Sequence, residues 1–337
     1  MTGSCGFIGF HTCSRLLDDG WQVVGFDDLS RAGSERHCEE LSSRTGFTFV
    51  KGDVTHSDAI ASAFGVGVPD VVVHLAAQVA VTTSISSPRR DFEINALGTL
   101  NVLEACRRVS PLPFVIFSST NKVYGPLHSM AFREGDHRYV LPDGWAGVNE
   151  AYPLDFYSPY GCSKGSADQY VIDFDRIFGV PGVVLRQSCI YGPKQMGIED
   201  QGWVAWFAIA ALQGREITVF GNGLQVRDLL HVSDLVDLYV TAWEQRECVR
   251  GRAFNVGGGR TNALGLLEYL SWLKDQGLEP EVSYSAARPG DQRVFVSDNS
   301  SITRCIGWVP RIAVRDGLAE MLKDLRGAVG RGDMGAG

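Results

Sequence analysis

Thr2 to Gly9 reads TGSCGFIG, with Gly3, Gly6 and Gly9 spaced as G-x-x-G-x-x-G. That spacing suits a strand-to-helix turn where backbone N–H groups at a helix N-terminus meet a pyrophosphate. Alone it is weak evidence, because the chain holds 39 glycines in 337 residues. The flanking residues strengthen it. Phe10 to Asp19 has helical spacing and stops at Gly20, and Trp21 to Phe26 reads as a buried strand. Asp27 ends that strand, 18 residues (27 − 9) after Gly9. A carboxylate there accepts hydrogen bonds from an adenosine ribose and repels a 2′-phosphate, favouring NAD over NADP. Another strand, Phe47 to Val50, leads to Asp53, which is placed to meet an adenine amine. Either aspartate alone reads equally well as a solvated turn residue; the ordered set carries the argument. One part is missing. The fold calls for an apolar strand of about five residues before the loop, yet Met1 already stands at it. We therefore expect an empty central position in the sheet and a native polypeptide that begins several codons upstream.

Outward from this turn, Asp70 to Leu75 and Phe114 to Ser118 are short apolar runs between helical stretches. Ser158-Pro159 looks like an N-cap followed by a first-turn proline, opening a helix through about Phe178, and Val183 to Gln187 is the next strand. The rhythm predicts an α/β fold, a Rossmann-like doubly wound parallel sheet with a smaller α/β substrate-binding domain. Further on, Gln201 to Gly214 and His231 to Trp243 read as helices, and Glu216 to Phe220 and Phe254 to Val256 as strands. We expect residues 1–187 plus about 227–257 to form the dinucleotide unit. Residues 188–226 plus about 258–325 would form the substrate unit, and 326–337 a glycine-rich, frayed tail.

Composition narrows the function. Lys and Arg number 31 against 39 Asp and Glu, a formal −8, which gives no support to a nucleic-acid binder. The longest apolar run, Trp203 to Leu212, is about half a membrane span. No basic segment followed by an apolar stretch opens the chain. The eight cysteines are scattered without a C-x-x-C pair, which suits buried thiols in a reducing compartment better than a disulfide framework or a metal site. The expectation is a cytoplasmic protein with no membrane partner and no metal.

Tyr160 and Lys164, in YGCSK, lie one helical turn apart on one face. An ammonium beside a phenol, helped by an oxidised nicotinamide, stabilises the phenolate, lowers its pKa and makes a general base. Such pairs also arise by accident on surface helices. This one follows Thr120, which ends FSST after an apolar strand, the edge where parallel sheets bind ligands.

Together TGSCGFIG, HLAAQVAVTTS, FSSTNKVYG, YSPYGCSK, LRQSCIYGP, VRDLLHVSDL and FNVGGG resemble, in order, the extended short-chain dehydrogenase/reductase family of nucleotide-sugar epimerases and dehydratases. The resemblance covers roughly residues 1 to 325. It implies NAD as cofactor and Thr120, Tyr160 and Lys164 as the catalytic group. Cofactor contacts are implied for Gly3, Gly6, Phe7, Ile8 and Gly9, for Asp27, Asp28 and Ser30, and for Asp53 and Val54. They are also implied for Leu75, Ala76, Ala77, Asn95, Tyr160 and Lys164. Substrate contacts are implied for Gln78, Thr82, Thr120, Asn121 and Gln187, with Arg227, Arg288 and Arg293 on a diphosphate, for which a guanidinium fork is suited. Dehydratases of the family carry Thr-Asp-Glu where this chain has Thr120-Asn121-Lys122, so elimination lacks its acid and base. QVAVTTSISSP, FSSTNKVYG and GIEDQGWVAWF resemble the branch that inverts C2 of CDP-sugars, implying a CDP-sugar substrate and a homo-oligomer, a dimer or tetramer. A UDP-sugar 4-epimerase and a non-catalytic NAD-binding sensor are the alternatives. His74 reads as a packed residue. Trp203, Trp206 and Phe207 read as core, with base stacking as the alternative.

Overall fold

The computed structural model describes residues 1–127, 129–288 and 290–331. Helix α1 (Phe7–Asp18) leaves the glycine loop directly, followed by β1 (Val23–Asp27), α2 (Ser34–Ser42), β2 (Phe47–Lys51), α3 (Ser57–Val66) and β3 (Val71–His74). Then α4 (Val81–Ser86), α5 (Pro88–Phe92), a π-helical turn (Glu93–Leu97) and α6 (Gly98–Cys106) lead to β4 (Phe114–Thr120). After the short strands β5 (Arg133–Glu134) and β6 (Tyr139–Val140) come α7 (Ser158–Phe178), β7 (Gly182–Gln187) and β8 (Cys189–Tyr191). The second half holds α8 (Trp203–Leu212), β9 (Ile217–Phe220), β10 (Val226–His231), α9 (Val232–Glu244), α10 (Arg246–Val249) and β11 (Arg252–Val256). It closes with β12 (Ala263–Gly265), α11 (Leu266–Asp275), β13 (Val282–Ser285), β14 (Val294–Phe295), α12 (Ser300–Ile306) and α13 (Val314–Gly330).

Strands β11, β7, β4 and β3 pair in that order, all parallel, and β1 pairs with β2 in a second parallel ladder. Val115 and Phe117 of β4 pack with Val102, Val171 and Phe174 on one face, and Ile116 packs with Leu235, Leu238 and Trp308 on the other. A sheet covered on both faces explains why these strands are apolar throughout. The two ladders meet at Met1 and Thr2. Thr2 bridges Phe26 and His74, and the Met1 amino group donates to the Val24 carbonyl at 2.8 Å. Among the described residues, no further bridge joins β1 to β3.

The second core forms around α8, whose Val204 to Ala210 are buried against Tyr269, Leu273, Leu318 and Leu322. Two boundaries differ from the sequence expectation. Ile302, Ile306 and Trp308, expected in the substrate unit, pack in the core of the parallel sheet. Helix α13 continues through Gly330, so the tail is helical where fraying was expected; residues 332–337 lie outside the described residues. Helix α8 starts at Trp203 because Gly202 is left-handed (φ 71°). Strand β10 went unread. No helix among the described residues is long and apolar enough to cross a membrane.

Candidate active site

A cavity of about 590 Å³ runs from the glycine loop to the C-terminal ends of β4 and β7 and on to α8. Its first wall is TGSCGFIG. Gly3 has φ 67°, and a Cβ there would lie 2.7 Å from the Ala76 nitrogen; one at Gly9 would lie 2.0 Å from the Gly3 carbonyl oxygen. Both glycines are fixed by sterics. Gly6 is different: its nearest neighbour would be 3.4 Å away, so a Cβ would stand over the cavity. Phe7 and Ile8, also lining, open α1, whose first-turn N–H groups have no intrahelical partner. Asp27 accepts from the N–H of Cys5 at 3.0 Å and of Leu29 at 2.9 Å, while burial pushes its carboxyl pKa up. Asp28 accepts from the Ser30 N–H at 3.0 Å. Burial acts to raise the Asp53 carboxyl too, but Arg90 at 2.7 Å and the Thr55 N–H outweigh it and hold it below its usual value. Val54, Leu75, Ala76 and Ala77 also line this end. Above it, Lys194 on the loop before α8 pairs with Glu40 of α2 at 2.6 Å.

At the sheet edge, Thr120, Tyr160 and Lys164 line one cavity. Thr120 ends β4, and its Oγ1 accepts from the Lys122 N–H at 3.2 Å. Tyr160 sits in the first turn of α7, entered through a left-handed Ser158 (φ 73°) whose Oγ accepts from the Gly161 N–H at 3.2 Å. Lys164 Nζ donates to the Ser118 carbonyl at 2.6 Å and lies 4.2 Å from the centre of the Phe117 ring. Burial sets the electrostatics of this group in the protein without cofactor. Burial pushes the Tyr160 phenol up to about 12, although a hydrogen bond with Thr120 opposes the rise. Burial likewise drives Lys164 down to about 7, against the pull of Asp168 and Asp91. In the protein alone the pair is thus poised as phenol and part-neutral amine, because burial disfavours the charged form of each.

The far end holds Arg227 and Arg288, each with an acidic partner. Arg227 pairs with Asp291 at 2.7 Å, and Arg288 with Asp200 at 3.0 Å while stacking over Phe220. Gln187 lines the cavity and donates to the Tyr239 hydroxyl at 2.7 Å; Asn121 donates to Gln292 at 3.2 Å. Thr82 also lines it, and its buried hydroxyl has no protein partner. Trp203, Trp206 and Phe207 do both things: they pack in the second core and line the cavity.

Three expected contacts are absent from the lining. Arg293 is exposed, beside the Tyr139 ring. Gln78 turns inward to Asp91 and Ala80, and Asn95 to Gln78, Asp91 and Ser163, so both shape the loop instead of reaching a ligand. His74 is packed as expected, between Thr2 and Thr99. The sequence reading missed Lys122, which approaches Asp291 at 3.6 Å, and Gln195 and Gln225, whose buried side-chain oxygens lack partners in the lining. Only the Asn-Lys departure at 121–122 pointed at Lys122; no spacing marks the glutamines.

The pattern of the NAD dependent epimerase/dehydratase family matches residues 1–257. The chain belongs to that family. It is 44% identical over 327 residues to a CDP-paratose 2-epimerase of Salmonella typhi, covering 95% of this chain and 97% of that one. A UDP-glucose 4-epimerase of Mycolicibacterium smegmatis is 32% identical over 97% of each chain. A crystal structure of a Thermus thermophilus UDP-glucose 4-epimerase in complex with NAD superposes with a TM-score of 0.83 at 30% identity, covering 97% of this chain and 98% of that one. The cleft fits the family cofactor. Its glycine loop leaves Gly6 open beside a helix N-terminus, and Asp27 and Asp53 border the adenosine end.

Proposed function

We propose that this protein is an NAD-dependent epimerase that inverts C2 of a CDP-hexose, of the CDP-paratose to CDP-tyvelose type. The observation that carries the reading is the convergence of Thr120, Tyr160 and Lys164 on one cavity whose wall continues as Asn121 and Lys122. Such a site can move a hydroxyl proton but has no carboxylic acid at 121 or 122 to expel water. The 44% identity with a CDP-paratose 2-epimerase supports the nucleotide and the carbon.

Bound NAD supplies the reversible two-electron oxidation of the sugar carbon. The chain's own residues do the rest. Gly3, Gly6 and the first turn of α1 hold the pyrophosphate, and Asp27 the adenosine ribose. Tyr160, as phenolate, takes the proton of the C2 hydroxyl and returns it once the 2-keto sugar has turned its other face. Thr120 hydrogen-bonds the reacting oxygen. Lys164, charged, stabilises the phenolate that burial disfavours. Arg227 and Arg288 meet the diphosphate by exchanging acidic partners for phosphate oxygens.

The deciding experiment supplies CDP-hexoses deuterated at C2 and UDP-hexoses deuterated at C4, with products read by NMR and mass spectrometry. Inversion at C2 of the CDP-sugar with deuterium retained is expected. Inversion at C4 of the UDP-sugar would instead favour the 4-epimerase reading, which the 32% relative supports. The same reading carries a cytoplasmic location, consistent with eight unpaired cysteines. It also carries a homo-oligomer, a dimer or tetramer: Phe92, Leu97, Tyr170, Ile177 and Phe178 stand exposed on the packed helices α5 to α7, and light scattering should give a multiple of 36.7 kDa.

A further inference from the structure

Behind the catalytic turn lies a buried polar cluster outside the cavity lining. Its centre is Asp91 of α5, only 1% exposed. Ser163 Oγ donates to Asp91 Oδ2 at 2.5 Å and lies 3.2 Å from the Tyr160 carbonyl oxygen. Gln78 Nε2 donates to Asp91 Oδ1 at 2.8 Å, and Asn95 Nδ2 donates to the same oxygen at 3.1 Å and to Ser163 Oγ at 3.1 Å. The π-helical turn Glu93–Leu97 carries Asn95 into this cluster. Three side chains from three segments thus converge on one carboxylate next to the residues that move the proton.

A buried carboxylate needs a cation. Arg89 and Arg90, on the same helix, are engaged by Glu93 and Asp53. Burial pushes the Asp91 carboxyl above its usual value, against the hydrogen bonds of Ser163 and Gln78 and the charge of Lys164, the cation that acts on it. Two carboxylates act on Lys164 in return, Asp168 and Asp91. Asp168 is already paired with Arg186, which reaches its two oxygens at 2.8 and 2.9 Å. Among the described residues no ion pair engages Asp91. The other groups around Lys164 are the Ser118 carbonyl of β4 and His74 of β3, whose imidazole burial keeps neutral. Asp91 is therefore the negative charge left over for the catalytic lysine.

We infer that Asp91 is a positioning residue of the proton relay: it is the buried counter-charge of Lys164, and through Ser163 it fixes the turn that bears Tyr160. This rests on the roles given to Tyr160 and Lys164 in the proposed function. Removing a negative charge lowers the pKa of every nearby group, so losing Asp91 moves the acid limb, set by Tyr160, and the alkaline limb, set by Lys164, in one direction.

The test is Asp91→Asn, which keeps shape and removes charge, with Asp91→Ser as a second variant should the first fold poorly. Lysine labelled with 13C at Cε gives six resonances, and Lys164→Met assigns the one of interest. In the NAD-free protein the Lys164 midpoint should fall by about half a pH unit or more. In the loaded enzyme both limbs of the kcat profile should move to lower pH, with NAD content unchanged. A Lys164 midpoint that stays put, or a kcat lowered equally at every pH, would overturn the inference, as would failure of both variants to fold. The NMR arm reads the charge even if no CDP-sugar is epimerised, so the two proposals fail separately.

Discussion

The Arg227 guanidinium donates to Asp291 Oδ1 at 2.7 Å, so the cation expected at the substrate diphosphate already holds a carboxylate. Ligand binding becomes an exchange of partners, with Lys122, 3.6 Å from the same Asp291 oxygen, left to neutralise it. Arg227→Leu should weaken CDP binding about 10- to 100-fold, the worth of one or two charged hydrogen bonds. Asp291→Asn should tighten it. Calorimetry with CDP alone, without the sugar, checks both.

Tyr160→Phe removes the proton acceptor while leaving the ring in its buried place. Turnover should fall by at least about 10²-fold. NAD content after purification should match the unaltered protein, because the glycine loop and Asp27 are untouched.

Gly6 and Gly9 should separate folding from cofactor binding. Gly9→Ala puts a methyl 2.0 Å from the Gly3 carbonyl oxygen, so Tm and NAD binding should both drop. Gly6→Ala meets protein only at 3.4 Å; its NAD-free Tm should stay near that of the unaltered chain while NAD affinity falls, because the methyl occupies the anion's place. Differential scanning fluorimetry with and without NAD reads both effects.

Lys164 gives a pH dependence of defined sign. Its pKa is about 7 folded and about 10.4 when unfolded, so the unfolded chain binds the extra proton between those values and stability rises with pH across that window. Below pH 7 the cost of burying the ammonium is constant, on the order of a few kcal/mol. Lys164→Met should therefore raise the NAD-free Tm most at pH 6, with the gain shrinking towards pH 10.

What the sequence disclosed, and what it withheld, follows from locality. Strand β4 was legible because FVIFS is apolar on both faces, which only a covered parallel sheet requires. Strand β10 was not, because VRDLLH carries Arg227 and Asp228 into the interior. Their partners, Asp291 and the Ser297 and Gly259 N–H groups, lie far along the chain. Tyr160 and Lys164 announce themselves by spacing, yet spacing carries no information about desolvation, which raises the phenol in the protein without cofactor. The resemblance implies ligand contacts for Gln78 and Asn95 and a backbone-supporting role for Asn95; only the second is seen, as Asn95 brackets the Gln78 backbone and Asp91 turns both side chains inward. The return of α12 to the parallel sheet depends on the packing of Ile302, Ile306 and Trp308 with Tyr239 and Phe254, residues far apart in the chain, which no periodicity encodes.

Thr2 stands between the β1–β2 ladder and β3, bridging Phe26 on one side and His74 on the other. Strand β2 is only partly buried along its length, so the adenosine-side ladder can open locally at a free energy below that of global unfolding. Amides of β1 should then exchange with deuterium sooner than those of β4 and β7 in the bare protein. A dinucleotide gripped from both sides would act as a molecular staple, drawing the two exchange rates together and merging two calorimetric transitions into one.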